Sequence, residues 1–144
     1  MTITFNASAA VPQATALRQS FDNAGAAGAG GYARLYSGTR PASGGAATGS
    51  LVVTCPLAWP CGTVDSAGTL NLAAGQDGIV TAGATPTWAR VFDAAGTRVL
   101  DCGVRLNSAA ATAGDPEEIV VFAPSGILAG AYIKITGGSF AVPT

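Results

Sequence analysis

Thiols, carboxylates and one glycine-rich loop are the groups in this chain with chemistry to offer. The stretch "TWARVFDAAGTRVLDCGV" (residues 86–103) sets Asp101 beside Cys102 and Gly103, the makings of a thiol nucleophile with an acid to orient it. Neighbouring residues of a strand point to opposite faces, so in a strand these two side chains cannot meet. The chain has no histidine, which removes Cys-His and Ser-His-Asp catalysis. Cys55 and Cys61 flank "PLAWP" and read as two buried thiols rather than a bridge. Three dispersed cysteines do not make a zinc site without a fourth ligand, and they suit a reducing cytoplasm.

The carboxylates are no more specific. "GDPEE" (114–118) brings Asp115, Glu117 and Glu118 together, as a calcium loop would, but a lone acidic loop reads as a solvated turn. Asp65 and Asp77 would form a glycosidase-type acid pair only if the fold joined them, and nothing around them marks such a pair. "GAGGYA" (28–33) fits a loose G-x-G-x-x-A pattern. A dinucleotide site needs a strand before that loop and a helix after it, and here the order is reversed. Basic residues are scattered without aromatic interleaving, against nucleic-acid binding. The expectation is a protein that is not an enzyme, with no catalytic residue, no cofactor and no metal.

The elements around these groups follow from hydrophobic period and turn residues. "TITF" (2–5) reads as a short strand or an extended arm. Val11, Ala14, Leu17 and Phe21 fall at helical spacing, Pro12 suits a first turn, and Asn23 and Gly25 provide a stop. This predicts one short helix near residues 11–23. "AGAAGAGG" (24–31) is a flexible connector into "YARLYSG", where Tyr32, Arg34 and Tyr36 share one face and Ala33 and Leu35 the other. Short β-rich runs follow near 50–57, 68–73, 78–82, 86–93, 97–105, 118–123 and 127–136, with "SFAV" as one further candidate.

"DAAGT" between two of these runs predicts a three-residue hairpin loop, a type I turn closed by left-handed Gly96, with Asp93 paired to Thr97. Continuing that register places Val91 opposite Val99, Ala89 opposite Asp101 and Trp88 opposite Cys102. The expected fold is all-β: an antiparallel β-sandwich, jelly-roll-like or Ig-like, with one short N-terminal helix. Residues 1–144 then make a single domain, with arm, helix and linker in 1–30 and the sandwich in 31–144.

Composition points away from chemistry and toward contact. Charged residues are 10% of the chain, against about 25% in an ordinary domain, and the net charge is −1. Nothing in that balance attracts phosphate backbones or acidic membranes. So few charges leave much neutral surface, as expected where neighbours in an assembly cover it. No Lys or Arg precedes Arg18, so no signal-peptide n-region is expected. The uncharged run from Ile119 to Ile133 is broken by Pro124, Gly126 and Gly130, too often for a membrane span.

The order of pieces resembles small structural proteins of tailed bacteriophages: a short helix and glycine linker, "YARLYSGTRPASGGAATGSLVV", a "GTLNL" run, then the hairpin "PTWARVFDAAGTRVLDCGV". The similarity covers about residues 12–106, and Cys102 departs from the small or polar residue of a "DGxV" segment. The resemblance implies a β-sandwich virion component made in the host bacterial cytoplasm. It would decorate or cement the capsid as a homo-oligomer, against the major capsid protein or neighbouring virion proteins. Thr2, Ile3, Thr4 and Phe5 of the extended arm are the expected contact residues, adding a strand to a neighbour's sheet. The competing expectation is a tail- or fibre-associated module that recognises a host glycan through Tyr32, Tyr36, Trp59 and Trp88.

Overall fold

The computed structural model describes residues 7–22, 30–42, 45–106, 117–122 and 127–141. The arm residues Thr2, Ile3, Thr4 and Phe5 and the helix-stop residues Asn23 and Gly25 lie outside them. Among the described residues one helix, α1 (Ala7–Asp22), is followed by nine strands: β1 (Tyr32–Tyr36), β2 (Leu51–Pro56), β3 (Gly62–Val64), β4 (Thr69–Leu72), β5 (Asp77–Ile79), β6 (Trp88–Phe92), β7 (Arg98–Leu106), β8 (Glu117–Phe122) and β9 (Tyr132–Ala141). The fold is mostly β, as expected from the short β-rich runs.

The expected antiparallel sandwich is replaced by one curled, mixed sheet. Its strand order is β2-β1-β6-β7-β8-β9-β4-β3, with β5 also paired to β9. The pair β7–β8 is parallel and the others are antiparallel. Ten residues separate β7 from β8 in sequence, more than a tight hairpin uses, so strand direction is not dictated by a turn. Curvature comes from register breaks at Leu35/Tyr36, Val91/Phe92 and Val120/Val121. Each places an extra residue on one strand, which bends it and tightens its twist. The third break falls where β8 meets Gly137 and Gly138 of β9, and Gly138 takes a positive φ of 156°. β9 can therefore turn partway along its length. Its first residues pair with β5 and its last with β4.

The result is a half-barrel bridged by β5. The Gln76 amide donates to the Pro56 carbonyl (3.2 Å) and the Thr81 amide to that of Val52 (2.8 Å), tying both flanks of β5 to β2. At Gly78 the strands approach so closely that a Cβ would sit 2.3 Å from the Thr54 carbonyl oxygen. The core inside the curl holds Leu35, Val53, Leu70, Val91, Ile119, Val121, Ile133 and Ile135, all buried.

α1 begins four residues earlier than the pattern predicts, leaving Pro12 inside the helix. Alanine is the strongest helix former, and Ala10 is fully buried against the β3–β4 turn. A Cβ on Gly68 would lie 2.4 Å from the Ala10 Cβ. That contact, together with buried Ala14 and Phe21, offsets the hydrogen bond a proline removes. Phe21 meets Phe140 edge-on at 6.0 Å, and Asp22 accepts the Cys61 amide at 3.0 Å. The helix is thereby docked on β3 and β4.

Two smaller expectations change. "SFAV" is no separate strand, since Ser139–Ala141 continue β9, and β3 in "CGTV" was not anticipated. The hairpin loop itself is as predicted: the Asp93 amide donates to the Thr97 carbonyl (2.9 Å) and Gly96 sits at φ 87°. Beyond it a bulge shifts the register by one residue. Val91 faces Leu100 rather than Val99, Ala89 faces Cys102 rather than Asp101, and Trp88 faces Gly103 rather than Cys102. One residue of slip exchanges the two faces of β7.

Candidate functional site

That slip builds the most ordered polar cluster among the described residues. It brings Asp101 opposite Arg90, on the side of the sheet away from the core. The Arg90 Nε donates to Asp101 Oδ1 at 2.8 Å, and Nη2 donates to Oδ2 at 3.0 Å and to the Gly45 carbonyl at 2.7 Å. Arg98 adds weaker bonds to the same carboxylate at 3.4 and 3.3 Å. Burial alone would raise the Asp101 pKa, but the hydrogen bonds and charges of the two arginines outweigh it and hold the carboxyl below its ordinary range. Donation to the same Asp101 carboxylate leads the causes that raise Arg90.

Aromatic pairs flank this cluster across β1 and β6. Tyr32 stacks on Phe92 at 5.0 Å and Tyr36 on Trp88 at 4.6 Å, with Arg34 and Arg90 directly opposite each other between them. Arg34 lies over Phe92 (5.1 Å to the ring centroid) and Tyr32 (5.7 Å), and Arg90 over Trp88 (5.6 Å). Gly38 and Gly45 lie near this face, the first accepting Thr87 Oγ1 and the second Arg90 Nη2 at their carbonyls. Tyr36 and Trp88 are buried there, so two of the four aromatics expected to stack on a glycan are structural.

A second surface is apolar. Ile79 (56% exposed), Phe122 (39%), Leu128 (67%) and Tyr132 (58%) are four of the five large apolar side chains exposed among the described residues, Trp59 being the other. All four belong to one end of the sheet. Ile79 pairs with Tyr132, Phe122 pairs with Lys134, and Leu128 lies in the turn whose Gly130 amide donates to the Val80 carbonyl. Phe122, Tyr132, Asp77 and Lys134 line a shallow cavity of about 330 Å³. Of these four only Asp77 was weighed from sequence, and then as a partner for Asp65; Phe122, Tyr132 and Lys134 were not singled out. The available signal was alternation in "AYIKIT": Ile133 and Ile135 are buried, which turns Tyr132 and Lys134 outward.

The groups weighed for catalysis are kept apart. Cys102 faces the core beside Ala89, on the opposite side from Asp101. Cys55, Cys61 and Cys102 are buried thiols. Burial, with Asp77 adding to it at Cys55 and Asp22 at Cys61, pushes both of those thiols up to about 12. Both are protonated and poor nucleophiles near neutrality. Asp65 accepts the Thr69 amide (3.0 Å), the leading cause of its lowered pKa, and also binds Ala67 and Asn71 within its own turn. Asp77 pairs with Lys134, whereas the strand leading from Asp65 reaches β9 at Phe140, roughly 20 Å further along. They form no acid pair. Gly31 of "GAGGYA" opens directly into strand β1, and a Cβ there would meet the Phe92 carbonyl at 2.2 Å, so it serves close packing. Of "GDPEE", residues 114–116 and the side chains of Glu117 and Glu118 lie outside the described structure. Among the described residues no group of three metal-ligating side chains gathers. Among the described residues, no helix is long and apolar enough to cross a membrane.

Compared with known proteins, the chain matches no family model, no curated protein and no solved structure.

Proposed function

We propose that the chain is a structural assembly protein: a virion component of a tailed phage that decorates or cements the capsid surface. It acts as a homo-oligomer against the major capsid protein or neighbouring virion proteins, and it is made in the host bacterial cytoplasm. The observation that supports assembly is the gathering of Ile79, Phe122, Leu128 and Tyr132 at one end of the sheet. Exposed apolar clusters of this kind mark contact surfaces. The phage placement rests on the resemblance in residues 12–106, and three buried thiols suit a reducing cytoplasm. Catalysis has no part in this reading.

The test is association measured by light scattering and by co-sedimentation with phage shells. The wild-type chain is expected to self-associate or bind shells. The double variant Ile79→Asn/Tyr132→Asn is expected to lose that association while keeping its melting curve. A wild-type chain that stays monomeric and ignores shells would sink the reading.

The cavity lined by Phe122, Tyr132, Asp77 and Lys134 favours one second reading, a tail- or fibre-associated glycan-binding module. Rings supply stacking faces and the charged pair supplies hydrogen-bond partners for hydroxyls. Saturable binding of a neutral oligosaccharide, abolished by Tyr132→Ala, would select it over assembly.

A further inference from the structure

The face of β1 and β6 away from the core repeats one arrangement and completes it only once. On β6, Arg90 is held over an aromatic ring and takes a carboxylate through two parallel bonds, at 2.8 and 3.0 Å. Directly opposite on β1, Arg34 is held over two rings in the same way. It makes no hydrogen bond or ion pair among the described residues; its Nε is shielded from solvent without an acceptor, while its terminal nitrogens remain reachable.

Such an arrangement is unfavourable as it stands. Like charges directly opposite on paired strands repel, and a shielded guanidinium nitrogen without an acceptor is costly. Among the described side chains, Arg34, Arg90 and Arg98 share this face with one engaged carboxylate, that of Asp101. Asp93, the hairpin's other acid, is bonded to the Ala95 and Thr97 amides of its own turn. The rings hold Arg34 ready, and the missing component is an acid.

We propose that Arg34 is a docking point for a side-chain carboxylate carried by an acidic segment of a partner protein. Guanidinium and carboxylate match in shape and charge, and Arg90–Asp101 displays that match one strand away. Thr54, opposite Arg34 on β2 and exposed, places a second hydrogen-bonding side chain beside it. A polyanion such as nucleic acid needs a row of uncompensated cations, whereas Arg34 offers a single one, suited to a single acid. This contact does not depend on the capsid reading. It is ionic and weakens with salt, whereas the apolar end of the sheet does not.

The probe is a tetraglutamate peptide capped at both ends, with tetraglutamine as its neutral counterpart, titrated into the full chain. The Arg34 Nε–H signal and the Thr54 amide are followed by NMR. Tetraglutamate is expected to move both signals and tetraglutamine neither, with affinity falling as salt rises. Arg34→Met should weaken binding about tenfold or more without lowering the melting temperature, and Arg34→Lys should retain part of it. Unmoved Arg34 signals, or equal affinity in Arg34→Met, overturn the proposal. So does stronger binding of glucuronate than of the peptide, which would make this a sugar-acid site. If Arg34→Met unfolds, Arg34→Lys decides: peptide affinity equal to that of the parent chain shows that the guanidinium is not the docking group.

Discussion

The Arg90–Asp101 pair shows how much depends on one bulged residue. With Val99 in register, Asp101 would stand opposite Ala89, facing the core beside apolar side chains. The bulge turns it onto Arg90 and sends Cys102 inward instead. Asp101→Ala leaves Arg90 shielded without its acid and should destabilise the fold by about 3 kcal/mol, measured by urea unfolding. Because the folded carboxyl lies below its unfolded value of about 3.9, its stabilisation is complete above that pH. It fades as pH falls through the lower, folded value, so the loss on acidifying below about pH 4 should be smaller in Asp101→Asn than in the parent chain. The thiols make a second residue-level expectation. With Cys55 and Cys61 pushed up to about 12, and Cys102 fully buried, a thiol reagent at pH 8 should label the native chain slowly and label three sites after unfolding. Rapid labelling of one cysteine in the folded chain would reopen the question of a reactive site.

Among the elements, those with local causes were legible and those with distant causes were not. The 93–97 loop was readable because Asp93 and Gly96 each have a turn-specific job, the carboxylate bonding the Ala95 and Thr97 amides and the glycine taking positive φ. The opposition of Asp101 and Cys102 was readable from strand alternation alone. The bulge at Val99 was not, because both faces of this hairpin carry apolar residues and either register looks acceptable. The early start of α1 depends on Ala10 meeting Gly68, a contact 58 positions away that no local pattern announces. The apolar end of the sheet was hidden for a related reason: Ile79 and Tyr132 look like core residues until β5 and β9 are paired. β5 is itself testable. Gly78→Ala sets a Cβ against the Thr54 carbonyl and should separate β5 from β2. Hydrogen exchange at the Gln76 and Thr81 amides should then accelerate markedly while the amides of β7 keep their protection. Unchanged exchange at both amides would show that the bridge tolerates the added atom.

For the whole molecule, the expectation of an assembling protein gives a salt test and a truncation test. Association through Ile79, Phe122, Leu128 and Tyr132 should persist from low to high ionic strength, since apolar contact is not screened. Deleting residues 1–6 tests whether Thr2, Ile3, Thr4 and Phe5 are needed for association, read by light scattering. Deleting 1–10 would also remove Ala10, a fully buried part of the helix, and should lower the melting temperature.

The position of β9 carries one more consequence, for the order in which the molecule can form. β9 pairs with β4, β5 and β8, and the ribosome makes it after all three. Until residue 141 has emerged, β4 has β3 as its one strand partner, with α1 packed on that pair, and β5 has only β2 to hold it. Completion of the half-barrel is therefore a late, non-local event, and partners with distant sequence positions are slow to find one another. During that wait the strand edges that β9 will occupy remain open, and the incomplete chain is most exposed to wrong partners.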